Sequence, residues 1–376
     1  MKIAVDGNLL CGKKTGMGTV VHHVLLNWCS TEAASITVYV PEPLTEEYSK
    51  KLAENNIKIK VLGKSNYFKW EQVVLPRALK KDGMDVLWCP YNTAPLFAGC
   101  KTVVTINDVI YMEAPLKSAP SLYKKLGIIY RKNIVPFAAR NAKSIITISQ
   151  FAKNEIARFF KRESEKVKVI YISADISDKR LNTSDTASFF ENNGIECPYI
   201  LGFGSLETRK NTMRLIKAYI KLPDIIKKEY QLVLFGFRGY EESEEYKLIH
   251  TKNLEKKIIV LGYVSDEEKA TLYGLSKLFV FPTLSEGFGI PVLEAFVGET
   301  PVITSNVTSI PEVAGKAAVL IDPTNVSSLT TQIDRLVSDE ELCNRLVTAG
   351  KEQLKKFDWR ITAENILAEL KAVCSE

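Results

Sequence analysis

The chain has 376 residues, 46% hydrophobic and 25% charged, enough apolar mass for two cores of ordinary domain size. No run approaches the roughly 20 apolar residues that cross a bilayer, and the opening MKIAVDGNLL reads as a charged start and a short strand, not an export leader. Seven scattered cysteines (Cys11, Cys29, Cys89, Cys100, Cys197, Cys343, Cys374) and three histidines (His22, His23, His250) form no CxxC pair or carboxylate-rich cluster, which argues against a disulfide framework or a metal site and for reduced thiols in the cytoplasm.

Short β-rich runs alternate with helix-period segments, the order expected of βαβ units on parallel sheets. Strands are expected at KIAVD (2–6), SITVYV (35–40), IKIKVL (57–62), DVLWC (85–89), TVVTI (102–106), SIITI (144–148) and VKVIY (167–171), making residues 1–173 a first Rossmann-like domain. From Glu113 to Lys168 thirteen Lys/Arg stand against four Asp/Glu, a local excess of nine positive charges in a chain of net +6, leaving the remainder at about −3. Such a segment suits an anionic acceptor, a lipid phosphate or a membrane surface; an ordinary solvated face is the equal alternative.

Residues 174–196 are polar and rich in turn formers, without apolar periodicity, and read as an interdomain region. Alternation restarts with YILGF (199–203), QLVLF (231–235), KIIVL (257–261), KLFVF (277–281), PVIT (301–304) and AAVLI (317–321), giving a second doubly wound domain over 197–356. The chain closes with helices, interrupted at Phe357-Asp358-Trp359, so that residues 357–376 form a last helix. Two open parallel sheets facing a central cleft bind ligands at the carboxyl ends of their strands.

The densest signal is Glu286-Gly287-Phe288-Gly289-Ile290-Pro291-Val292-Leu293-Glu294, a strand exit, glycine loop and helix start. Pro291 suits the first helical position, and the glycines let backbone N–H groups approach an anion. Glu294 is expected in that first turn, either accepting two hydrogen bonds from a vicinal diol such as ribose or complementing the helix dipole. Glu286 is expected free in the loop, beside a sugar or as a plain surface residue. After YILGF comes Gly202-Phe203-Gly204-Ser205, then Arg209-Lys210-Asn211 at a helix start. The two cations either neutralise a diphosphate leaving group or decorate a surface turn. Gly202 and Gly204 alone make an incomplete dinucleotide fingerprint. In the first half, Thr15-Gly16-Met17-Gly18 is a glycine turn, Ser149 is suited to cap the helix after SIITI, and Asn107-Asp108 follows TVVTI.

Together these elements resemble glycosyltransferase family 4, retaining enzymes of the GT-B fold. The Glu-x7-Glu pattern at Glu286 and Glu294 is similar to that family's donor motif, in which the second glutamate binds ribose and the first lies by the transferred sugar. The resemblance implies that Arg209 and Lys210 grip the pyrophosphate, and that Gly16, Gly18, Gly204, Ser205, Gly287, Phe288, Gly289 and Ile290 line the donor site. Ser205 stands where some members carry an arginine. Asn107-Asp108 matches a motif that usually reads His-Asp, and an amide cannot accept a proton near neutral pH. Phe357-Asp358-Trp359 is similar to the start of the family's helix that crosses back to the first domain.

What the resemblance implies is a metal-independent hexosyltransferase that needs no cofactor, takes a nucleotide diphosphate sugar as substrate, and glycosylates a glycan, lipid-linked or small-molecule acceptor in bacterial surface polysaccharide or glycoconjugate synthesis. Its expected place is the cytoplasm, with attachment to the inner membrane face through residues 113–168 left open, and with no nucleic-acid partner. A donor-binding protein that has lost transfer, motivated by Asn107, and a nucleotide-sugar epimerase on the same fold are the rival readings.

Overall fold

Among the described residues, thirteen strands form two sheets. The computed structural model describes residues 1–11, 16–113, 122–174, 176, 179–196 and 198–375; Thr15 of the glycine turn, Cys197 and part of the basic segment lie outside them. Met1–Ile172 with Asp358–Glu376 make one compact unit and Ser173–Phe357 the other.

The first unit holds β1 (Lys2–Asp6), β2 (Ser35–Val40), β3 (Lys58–Val61), β4 (Val86–Cys89), β5 (Lys101–Thr105), β6 (Ser144–Thr147) and β7 (Val167–Val169). Their order is β3-β2-β1-β4-β5-β6-β7, every pair parallel. Helices cover both faces, so the central strands are apolar on both sides: β4 and β6 are wholly buried, whereas edge strand β3 is not. The strand period of two divides the core. Ile3 and Val5 join Trp28, Trp88 and the last helix on one face, while Ala4 joins Trp70, Leu87 and Val104 on the other.

The last helix, Trp359–Ser375, packs on the first sheet through Ala363, Ile366 and Leu370. The Trp28 indole donates to the Ala363 carbonyl at 2.7 Å, and Thr362 Oγ1 donates to the Tyr171 carbonyl at 2.7 Å.

The second unit contains β8 (Tyr199–Phe203), β9 (Gln231–Phe235), β10 (Ile258–Val260), β11 (Leu278–Phe281), β12 (Val302–Ser305) and β13 (Ala318–Ile321), all parallel in the order β10-β9-β8-β11-β12-β13. Both orders reverse once, between β1 and β4 and between β8 and β11, and a doubly wound sheet opens its ligand crevice at such a reversal.

Within the polar region 174–196, Thr183–Asn193 form a helix that the reading of turn formers did not anticipate. The Asn182 side chain accepts from the Asp185 N–H at 2.8 Å, and Gly194, at φ 66°, closes the other end. The helix buries no residue completely, so its sequence carries no apolar stripe, and only the caps announce it.

Candidate active site

At the β8/β11 reversal the chain leaving β8 meets the chain leaving β11. Thr208–Lys210 form a single 3-10 turn, and Asn211 then takes φ 64° before the helix Thr212–Ile220 begins. The turn is fastened to the other loop through its backbone: the Arg209 carbonyl accepts from the Leu284 N–H at 2.7 Å and from Thr283 Oγ1 at 2.9 Å. The buried Asn211 amide donates to the carbonyls of Pro282 and Pro323 at 2.7 and 2.8 Å. An asparagine suits this place because it tolerates the left-handed region and supplies two donors to orphan carbonyls.

These ties bring Arg209, Lys210 and Glu286 together. Lys210 Nζ donates to Glu286 Oε1 at 2.6 Å, Arg209 Nη1 lies 3.0 Å from Glu286 Oε2, and Thr283 Oγ1 donates to Oε1 at 3.1 Å. Glu286 is therefore not the free loop carboxylate expected. It is 8% exposed and clasped by two cations. Arg209 also meets Glu207 at 2.6 Å. Burial opposes its charge, but Glu286 and Glu207 outweigh that and hold its pKa above the ordinary arginine value. Lys210 Nζ lies 5.2 Å from the ring centres of both Phe203 and Phe281, which confines the ammonium between two π faces.

The loop after β11 is held mainly by residues that follow β12. Ser309 Oγ donates to the carbonyls of Glu286 and Phe288 at 2.8 and 2.7 Å, and the Glu286 N–H donates to Thr308 Oγ1 at 3.2 Å. Phe288 is buried, edge-on to Phe357 at 5.7 Å. Gly289 has φ 120°, a conformation that favours glycine, and a Cβ there would also press on the Ile310 Cδ1 methyl at 2.7 Å. The helix Ile290–Val297 follows, with Ile290 first and Pro291 second.

Glu294 is corrected too: it lies past the first turn and is buried. Its Oε1 accepts from Lys269 Nζ at 2.8 Å and its Oε2 from the Tyr273 hydroxyl at 3.1 Å, both on the helix Asp266–Leu275. Burial first, then the Glu294 carboxylate, push the Tyr273 phenol well above its ordinary pKa, so it remains a donor. Lys269 and Tyr273 were absent from the sequence reading. Their i,i+4 spacing and the Ser265/Glu268 capping box mark a helix but not the neighbour it faces.

Gly204 has a packing reason distinct from ligand approach, since a Cβ would lie 2.6 Å from the Phe237 ring. Ser205 closes a local turn: its N–H donates to Thr212 Oγ1 at 3.1 Å and its Oγ accepts from the Glu207 N–H at 3.1 Å.

The remaining expected residues belong to the first unit. Gly16 and Gly18 lie in the first turn of the helix Gly16–Leu26 and do not form a loop. Met17 between them lines a small apolar pocket with Asn107, Ile148 and Thr362. The Asn107 N–H donates to Asn92 Oδ1 at 2.9 Å, and Asp108 Oδ1 accepts from the Ile110 N–H at 3.0 Å. Ser149 Oγ accepts from the Ala152 N–H at 3.0 Å, capping its helix.

Sequence and fold comparisons identify the family and the fold. Residues 15–178 match the family described as Glycosyltransferase Family 4, and residues 185–353 the one described as Glycosyl transferases group 1. The chain is similar to the O-antigen chain mannosyltransferase B of Escherichia coli, 31% identical over 271 residues, which is 69% of this chain and 67% of that protein. It is 25% identical to the O-antigen chain mannosyltransferase RfbU of Salmonella typhimurium over 86% of this chain and 88% of that one. Among solved structures, HepE of Anabaena in complex with UDP and glucose superposes with a TM-score of 0.71 at 18% identity, covering 98% of this chain and 99% of HepE.

Proposed function

The chain belongs to glycosyltransferase family 4 and has the GT-B fold, and from that premise we propose that it is a retaining, metal-independent hexosyltransferase of bacterial surface polysaccharide synthesis. The donor is a nucleotide diphosphate sugar. Mannose is the sugar its relatives' names favour, and the acceptor is a growing or lipid-linked glycan. The observation that carries this reading is the clasp of Arg209 and Lys210 on the buried Glu286 at the β8/β11 reversal.

In the clasp, two cations share one carboxylate, and a donor diphosphate is the group that can take them over. As the bond from the anomeric carbon to the phosphate oxygen breaks, the electron pair stays on that oxygen, beside Lys210 and Arg209. The acceptor hydroxyl attacks from the same face and passes its proton to the departing phosphate, so that Asn107 need not act as a base. Glu286, released from the cations, stands beside the oxocarbenium-like sugar. Glu294, held by Lys269 and Tyr273, offers its carboxylate to the ribose diol.

The test is a panel of UDP, GDP and ADP sugars added to metal-free protein, with thermal shift and nucleotide release as readouts, because a ligand of the folded state raises its melting temperature by mass action. A selective shift that Glu294→Ala abolishes is the expected result. No shift with any donor would overturn the reading, and a shift without release in any acceptor screen would favour a donor-binding protein that has lost transfer.

A further inference from the structure

At the exit of β12 two neighbouring residues depart from local preference, and both departures serve the loop that carries Glu286. Thr308 has φ 56°. Of the seven non-glycine residues with positive φ among those described, four are asparagines, and Thr308 is the only β-branched one. A branched Cβ is crowded in that region, whereas glycine would make the same turn without strain. What threonine adds over glycine is a hydroxyl. That hydroxyl donates to the Val307 carbonyl at 2.8 Å and accepts from the Glu286 N–H at 3.2 Å.

Ser309 stands at the N-cap position of the short helix Ile310–Ala314, yet its side chain makes no cap bond. A serine there ordinarily accepts from the N–H groups of its own helix. The buried Ser309 hydroxyl instead shares its proton between the carbonyls of Glu286 and Phe288. In a planar trans peptide the N–H and C=O point opposite ways, so fixing the Phe288 carbonyl also sets the direction of the Gly289 N–H. Ser305 Oγ donates to the Thr283 carbonyl at 2.5 Å, and the Thr283 hydroxyl reaches Glu286 Oε1. Glu286 is thus fastened to the exit of β12 at its backbone and, through Thr283, at its carboxylate.

Lys210 and Arg209 restrain that carboxylate from the other loop. On the transferase reading a donor diphosphate draws both cations off, and the backbone then decides where Glu286 stands. We propose that Thr308, assisted by Ser309, is a positioning residue for Glu286: its hydroxyl holds the Glu286 backbone, so that the carboxylate keeps its place beside the sugar once the cations have turned to the diphosphate. Local strain retained where it aims a functional group is the pattern expected of such a residue. The proposal rests on the transferase reading and adds to it residues that act through Glu286.

Thr308→Gly separates turn from hydroxyl, because it relieves the left-handed strain and removes the oxygen. Thr308→Ser keeps the oxygen. Wild type and both variants are to be compared by melting temperature and by nucleotide release from UDP-glucose, GDP-mannose and ADP-glucose, with water as the acceptor. For the donor that wild type turns over, Thr308→Gly should melt within about 3 °C of wild type or above it. It should keep KM within about threefold and lose roughly 10- to 100-fold in kcat, as a misplaced catalytic group does. Thr308→Ser should stay within about threefold of wild type in both constants. In a Glu286→Gln background, Thr308→Gly should cost no more than about twofold further, since the carboxylate it positions is gone.

An undiminished kcat in Thr308→Gly, a loss that Thr308→Ser shares in full, or an equal loss in the Glu286→Gln background overturns the proposal and leaves the transferase reading standing. So does a loss matched by a rise in KM and a fall in melting temperature, which is the signature of a structural role alone. If wild type releases nucleotide from none of the donors, the transferase reading falls and the positioning role falls with it.

Discussion

Replacing Glu286 by Gln tests the clasp most directly. The amide keeps one carbonyl oxygen for Lys210 but turns an NH2 group toward Arg209 and removes the only negative charge common to both cations. Breaking a buried pair by neutralising one partner costs about 3–5 kcal/mol. Arg209 retains Glu207 and is about a third exposed, so its share is discounted, whereas the Lys210 and Glu286 side chains are nearly closed off. A loss of roughly 2–3 kcal/mol is therefore expected, which in a unit the size of Ser173–Phe357 lowers the melting temperature by about 5–10 °C.

A diphosphate should repair the same defect. Wild-type protein must open its ion pairs to bind a nucleotide diphosphate, and the variant need not, so its affinity should rise by about tenfold, the equivalent of about 1.4 kcal/mol. Turnover should fall, because the carboxylate beside the sugar is gone. Calorimetric melting with and without nucleotide reads both effects. A variant that melts within about a degree of wild type and gains no more from nucleotide would refute the view that Glu286 is the counter-ion the donor displaces.

Lys210→Ala should reduce turnover by roughly 10²-fold, as loss of a donor to a developing oxyanion does; a rate within about threefold of wild type would remove Lys210 from the chemistry. Asp6 gives a pH prediction in the first unit. Burial, opposed by the Trp70 indole and reinforced by Glu71, raises its carboxyl from 3.8 to about 7, so the folded state favours the protonated form. Its contribution to stability is complete below the unfolded pKa and is lost as pH rises through about 7, at about 1.4 kcal/mol per pH unit over that window. Asp6→Asn keeps an oxygen for the Trp70 indole, which donates at 2.9 Å, and abolishes the titration. Urea unfolding across that window should show the variant gaining on wild type as pH rises, and a constant difference would contradict the account.

The sequence alone determined the two parallel sheets, because strands covered on both faces read as short apolar runs between helix-period segments, and backbone hydrogen bonding then leaves little choice of architecture. It also exposed the Glu286–Glu294 loop, where Gly289 and Pro291 are demanded by local conformation. Helix Thr183–Asn193 escaped because it buries nothing completely and so has no stripe, and Glu294 was placed in the first turn because the helix was expected to start at Pro291, whereas it starts one residue earlier, at Ile290. Only the tertiary structure decided who faces whom. Lys269 and Tyr273 on Glu294, both cations on Glu286, and Thr308 on the Glu286 N–H each join residues more than twenty positions apart. A side chain's partner across such a distance is set by the sum of the packing between the elements that carry it, and no local pattern encodes that sum.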